Sequence, residues 1–137
     1  MVEAANPRYA AARSGGQQPF LRMVARQYVA EGYTVQRTPR SHDGGIDLLA
    51  ERVTAGARER VVVQCKHQQA NVGRPVLQQL RGVVSSDQSY TRGDLVTSSG
   101  FTSEAVAFAE GKRLTLIDRA LLIELVRQAG VADFANR

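Results

Sequence analysis

The sequence predicts an α/β layer fold with a central mixed β-sheet flanked by helices. Three observations carry this reading. Apolar residues recur at helical spacing in several segments, β-branched runs bounded by turn residues lie between them, and the elements fall in the order α-β-β-β-α-β-α-β-α. A length of 137 residues suits one domain. With 43% apolar and 23% charged residues, the chain has a globular composition and can bury a core without disulfide or metal staples.

Residues 1–18, with Asn-Pro, Ser-Gly-Gly and Gln-Gln, lack an apolar period and are expected to form a flexible leader ahead of a single domain over 19–137. The first helix is predicted from about Pro19 to Glu31. Pro19 fits a first-turn position, Phe20, Val24 and Tyr28 repeat at helical spacing, and Gly32 stops the helix. Tyr33 to Thr38 alternates like a strand, and Pro39 to Gly45 is a turn-rich loop. Ile46 to Val53 reads as a strand, Ala55-Gly56-Ala57 as a hairpin tip, and Arg60 to His67 as a central, β-branched strand with no Pro or Gly. Residues 72–86 show a helical stripe of Val76, Leu77, Leu80 and Val84, with Pro75 early. Asp94 to Ser98 is a short strand, and Thr102 or Ser103 caps the next helix. Leu114 to Ile117 is a strand, and Ala120 to Gln128 a closing amphipathic helix.

The formal net charge is +5, from 18 Lys and Arg against 13 Asp and Glu. The surplus is uneven. Residues 1–81 hold 12 cations and 6 acids, a surplus of six, whereas residues 82–137 hold 6 and 7, a deficit of one. Such asymmetry points to a polyanion such as nucleic acid, or simply to a basic soluble protein. Only Lys66 and Lys112 are lysines. The single cysteine, Cys65, cannot form an internal disulfide, so a reducing, cytoplasmic setting is expected. No apolar run approaches the roughly 20 residues of a membrane span, and the N-terminus lacks a signal-peptide core.

Two segments carry chemistry, Asp43-Gly44-Gly45-Ile46-Asp47 and Gln64-Cys65-Lys66. If the hairpin turns near residue 56, Asp47 faces about residue 65, which gathers Asp47, Gln64 and Lys66 at one end of the hairpin. Gln64 and Lys66 are two apart and share a face, while Cys65 points to the other, toward the core. Asp47 can bind a hard cation such as Mg²⁺ through oxygen, with the Gln64 side-chain oxygen and the Cys65 backbone carbonyl as further ligands. A cation there would activate water and neutralise charge on a phosphate, and Lys66 would position the nucleophile and stabilise the transition state. The compact ammonium explains a lysine in a chain that otherwise uses arginine. The bland alternative is a glycine turn followed by an edge hairpin with a solvated lysine.

These residues resemble a family. DGGID followed 17 residues later by the Gln64-x-Lys66 pair is similar to the catalytic core of Mrr-type restriction endonucleases, a branch of the PD-(D/E)XK nucleases in which Gln replaces the acid. Val72 to Gly82, Val96 to Thr102 with Ala105, and Leu116 to Leu122 extend the likeness over residues 19–126. The resemblance implies a restriction-endonuclease-like core and a metal-dependent DNA endonuclease with Mg²⁺, replaceable by Mn²⁺. It makes Asp47 the metal-binding Asp and Gln64 and Lys66 the Q-x-K pair. The family carries a Glu directly after the Phe of the first helix, where this chain has Leu21, and Glu31 lies about 15 Å further along the helix. That departure sets a one-metal nuclease beside a weakened module that binds DNA without cutting. A Holliday-junction resolvase of the same superfamily is a third reading.

Around this core, Arg37, Arg40, His42, Asp43, Gly44 and Gly45 are candidate DNA contacts, as are Thr97, Ser98 and Ser99 at the next strand's end. Asp43 equally fits a cap on its own turn, His42 an exposed loop residue, and the hydroxyls a short polar turn. His67 is expected to point away from Lys66, as a structural or DNA-proximal residue. The expected partner is DNA, bound mainly through phosphates, with a homodimer or a separate recognition or defence protein supplying what a lone core lacks. No membrane association is expected.

Overall fold

A computed structural model of the protein describes residues 17–38 and 45–130. The remainder of the expected leader, the C-terminal residues from 131, and the loop positions Arg40, His42, Asp43 and Gly44 lie outside the described residues. The elements are α1 (Gln17–Ala30), β1 (Thr34–Arg37), β2 (Leu48–Thr54), β3 (Ala57–Lys66), α2 (Arg74–Ser85), β4 (Arg92–Thr97), α3 (Ser103–Ala109), β5 (Leu114–Ile117) and α4 (Arg119–Gln128). Their order is the expected one. Helix α1 begins at Gln17, so two glutamines assigned to the leader belong to its first turn, and Gln18 is buried. Pro19 allows this because first-turn N–H groups have no carbonyl partner to lose. Among the described residues no helix is long and apolar enough to cross a membrane.

The five strands form one sheet in the order β1-β2-β3-β4-β5. β1, β2 and β3 pair antiparallel, whereas β3, β4 and β5 pair parallel through the α2 and α3 crossovers. The sheet is therefore mixed. Both of its faces are covered, which accounts for the continuous apolar run Val61-Val62-Val63 in β3. On one face Leu48, Ala50, Val61, Val63 and Cys65 pack under α1 and α4. On the other, Val62 and Leu95 pack under α2 through Leu77, Leu80 and Val84, and under α3 through Ala105. Thr102 caps α3 by accepting from the Ala105 amide, and Asp118 caps α4 by accepting from the Leu121 amide, which starts that helix at Arg119.

The hairpin register differs from the expected one by a residue. The turn is two residues long, with Ala55 at φ 53° and Gly56 at φ 82°, and Ala57 already pairs with Thr54. Positive φ at both positions is the twist-matched geometry of a tight hairpin. Leu48 consequently opposes Val63, but the regular register ends there: the Asp47 amide also donates to the Val63 carbonyl, and Ile46 packs on the Val62 face of the sheet rather than the Leu48 face. Asp47 and Leu48 thus both stand against Val63, a bulge that sets the Asp47 carboxylate against the Cys65 amide.

Candidate active site

The site lies where β2 begins and β3 ends. The Asp47 amide donates to the Val63 carbonyl at 2.8 Å, and the Thr38 amide donates to the Asp47 carbonyl at 3.1 Å, which ties the residue between β1 and β3. Its half-buried carboxylate accepts the Cys65 amide through Oδ2 at 2.8 Å. Because the Ser98 amide bonds the Lys66 carbonyl, the peptides of Gln64 and Lys66 face β4 and that of Cys65 faces Asp47. The Cys65 side chain is buried in the α1-side core, as expected.

Gln64 is 3% exposed, and its Oε1 is buried with no hydrogen-bond partner. Burying such an oxygen unmatched costs about 1–3 kcal/mol. Gly45 approaches its other amide atom so closely that a Cβ there would stand 2.7 Å from Gln64 Nε2. Lys66, on the same strand face, is half-buried and pairs in register with Thr97. The donor set of Asp47, Gln64 Oε1 and the Cys65 carbonyl is made of hard oxygens, and the orphaned Gln64 oxygen fits a small divalent cation. Among the described residues no group of three or more His, Cys, Asp or Glu side chains stands where it could hold a metal ion.

The other candidate contacts lie around this core. Thr97 is fully buried, and its hydroxyl donates to the Lys66 carbonyl at 2.9 Å. The Ser98 hydroxyl exchanges hydrogen bonds with the backbone of Gln68, and that of Ser99 donates to the Ala70 carbonyl at 2.9 Å. All three hydroxyls named as phosphate ligands are thus engaged in lacing the β4 end to the segment after β3. Arg37 ends β1 opposite Leu48, next to Asp47. Leu21 is 1% exposed within the core, so α1 brings no carboxylate from that position.

Some arrangements had little sequence signal. His67 stacks on Phe20, with ring centroids 5.2 Å apart. On β4, in register with Val63, Asp94, 1% exposed, accepts from the Tyr28 hydroxyl and from Arg92 Nε at 2.8 Å. Arg92 also reaches Glu59, which Arg52 and Tyr33 bond in turn. Burial first, then the Asp94 carboxylate, raises the Tyr28 hydroxyl well above its ordinary pKa. Burial opposes the charge of Arg92, but the hydrogen bond and charge of Asp94 outweigh it. An aspartate beside Gly93 and ahead of the apolar pair Leu95-Val96 was the sequence cue to this network.

The fold is shared with solved restriction endonucleases. The DNA modification-dependent restriction endonuclease AspBHI superposes with a TM-score of 0.66 at 19% identity, covering 91% of this chain and 33% of that one. The MspJI restriction endonuclease, solved in complex with a 27-mer oligonucleotide, gives 0.63 at 20% identity over 96% and 32% of the two chains. This is a restriction-endonuclease-like α/β domain. The chain belongs to the Mrr catalytic-domain family of restriction endonucleases, whose model matches residues 13–126. It is similar to the type IV methyl-directed restriction enzyme EcoKMrr of Escherichia coli strain K12, being 40% identical over 102 residues, 72% of this chain and 33% of the relative. The chain spans about a third of the length of these three proteins.

Proposed function

We propose that this chain is the catalytic domain of a divalent-metal-dependent DNA endonuclease that hydrolyses phosphodiester bonds. The observation that carries the reading is the buried, unpartnered Gln64 Oε1 at the sheet end that also holds Asp47 and Lys66. Asp47, Gln64 Oε1 and the Cys65 carbonyl would hold Mg²⁺, with Mn²⁺ as a substitute. When bound, the ion lowers the pKa of water and offsets charge developing on the phosphate. Asp47 is oriented for this task by the Cys65 amide, which occupies one carboxylate oxygen. Lys66 holds the nucleophile and stabilises the transition state from the same strand face as Gln64. Arg37, Arg40, His42, Asp43, Gly44 and Gly45 form the approach to the DNA backbone. Binding is mainly to phosphates and salt-sensitive, and a homodimer partner, a separate recognition or defence protein or the DNA's own structure would contribute to the choice of target.

The test is cleavage of supercoiled plasmid by the purified protein with Mg²⁺, with and without chelator. Wild type is expected to nick or linearise the plasmid, chelation to stop it, and Lys66→Ala to slow it by about a hundredfold or more. Equal activity of wild type and Lys66→Ala overturns the assignment. A second reading, a module that binds DNA without cutting, draws support from the burial of Leu21 in place of a carboxylate. It predicts intact DNA affinity with no cleavage and no calorimetric signal for Mg²⁺ or Mn²⁺.

A further inference from the structure

We propose that His67 is a second phosphate-contact residue, holding the DNA backbone beside the phosphate engaged by Lys66; this rests on the nuclease reading above. His67 is the first residue past β3. Consecutive strand residues point to opposite faces, and the imidazole accordingly lies on the α1 side. There it stacks on Phe20 with an interplanar angle of 29°. Phe20 is 6% exposed and packed into the core, so it forms a fixed floor for the ring. His67 itself is exposed. Among the described residues the stack on Phe20 is its one side-chain interaction, and neither ring nitrogen has a hydrogen-bond partner there.

The result is an imidazole that is accessible, held in one orientation and chemically unspent. Fixing a ring in advance removes part of the entropy cost of a later contact. The side chains of Lys66 and His67 diverge from adjacent Cα atoms about 3.8 Å apart, so their tips reach different, neighbouring phosphates of one strand. A phosphate takes the N–H edge of the ring. A nucleobase would instead take the open face opposite Phe20, and the nearness of Lys66 favours the phosphate.

Fluorescence anisotropy with a labelled duplex, without divalent metal so that nothing is cut, tests the proposal. His67→Phe keeps the stack and loses both nitrogens, whereas His67→Gln restores a donor. His67→Phe is expected to weaken binding about tenfold, the scale of one hydrogen bond to a charged group, with unchanged thermal melting, and His67→Gln to recover part of the loss. Wild-type affinity in His67→Phe, as base stacking or a purely structural role would give, overturns the proposal, and so does an equal loss in both variants. If wild type binds and cuts DNA while His67→Phe matches it, only this inference falls. If wild type does not bind DNA, the nuclease reading falls and takes the inference with it.

Discussion

Gly45 shows how narrow the tolerances of the site are. It adopts φ +84°, a conformation that costs other residues about 1–2 kcal/mol, and its Cα is against the Gln64 amide. A methyl group there would stand 2.7 Å from Nε2 and drive the side chain from its place. Gly45→Ala is therefore expected to lower stability by about 1–3 kcal/mol in urea denaturation and to weaken Mn²⁺ binding in calorimetry. A variant with wild-type stability and metal affinity would show that Gln64 is not clamped from this side. Thr97 shows a different constraint. Its hydroxyl is buried and bonded to the Lys66 carbonyl, which ties the end of β4 to the end of β3.

Among the elements, α2 and β4 meet closely enough for two glycines to act in opposite directions. A Cβ on Gly93 would stand 2.7 Å from Val84 Cγ2 and 3.0 Å from Leu80 Cγ, both on fully buried side chains that cannot retreat. On the exposed side of α2, a Cβ on Gly82 would meet nothing within 4 Å. Gly93→Ala is expected to destabilise by about 1–3 kcal/mol through overpacking. Gly82→Ala is expected to stabilise by about 0.5–1 kcal/mol, because glycine in a helix loses more backbone entropy on folding. Urea midpoints of the two variants check both signs, and a shift in the same direction for both would contradict the packing described. Because β4 flanks β3 at the site, Gly93→Ala is also expected to lower plasmid cleavage, whereas Gly82→Ala leaves it unchanged.

Across the whole molecule, the Tyr28–Asp94–Arg92–Glu59–Arg52 network joins α1, β2, β3 and β4. It makes stability depend on pH at both extremes. The hydrogen bond from Arg52, and then its charge, holds the Glu59 carboxyl below the usual glutamate range. A carboxylate more acidic in the folded than in the unfolded state contributes stability above its ordinary pKa, lost as pH falls through the lowered value. Tyr28 is the mirror case. Its hydroxyl is raised by burial and by Asp94, so its contribution is present below the ordinary phenol pKa and lost as pH rises through the raised value. Glu59→Gln is expected to flatten the acid limb of a plot of urea midpoint against pH, and Tyr28→Phe the alkaline limb. An unchanged acid limb in Glu59→Gln would show that other carboxylates dominate there.

The sequence by itself determined the order of the elements and the family. Period-2 and period-3.6 apolar patterns, β-branched Val61-Val62-Val63 and the cap Thr102 are local signals, each written within a few neighbouring residues. The types of residue proposed for the site, Asp47, Gln64 and Lys66, were equally legible, because their spacing along a hairpin is a local property. Tertiary structure decided what spacing leaves open. A bulge at Asp47, which stands with Leu48 against Val63, fixed how its carboxylate meets the Cys65 amide, a detail that spacing along the hairpin leaves open. Packing placed Leu21 in the core, engaged the hydroxyls of Thr97, Ser98 and Ser99 in internal bonds, and set His67 on Phe20. Those outcomes depend on which distant segments meet, and hydrogen-bond satisfaction and burial are settled only when they do.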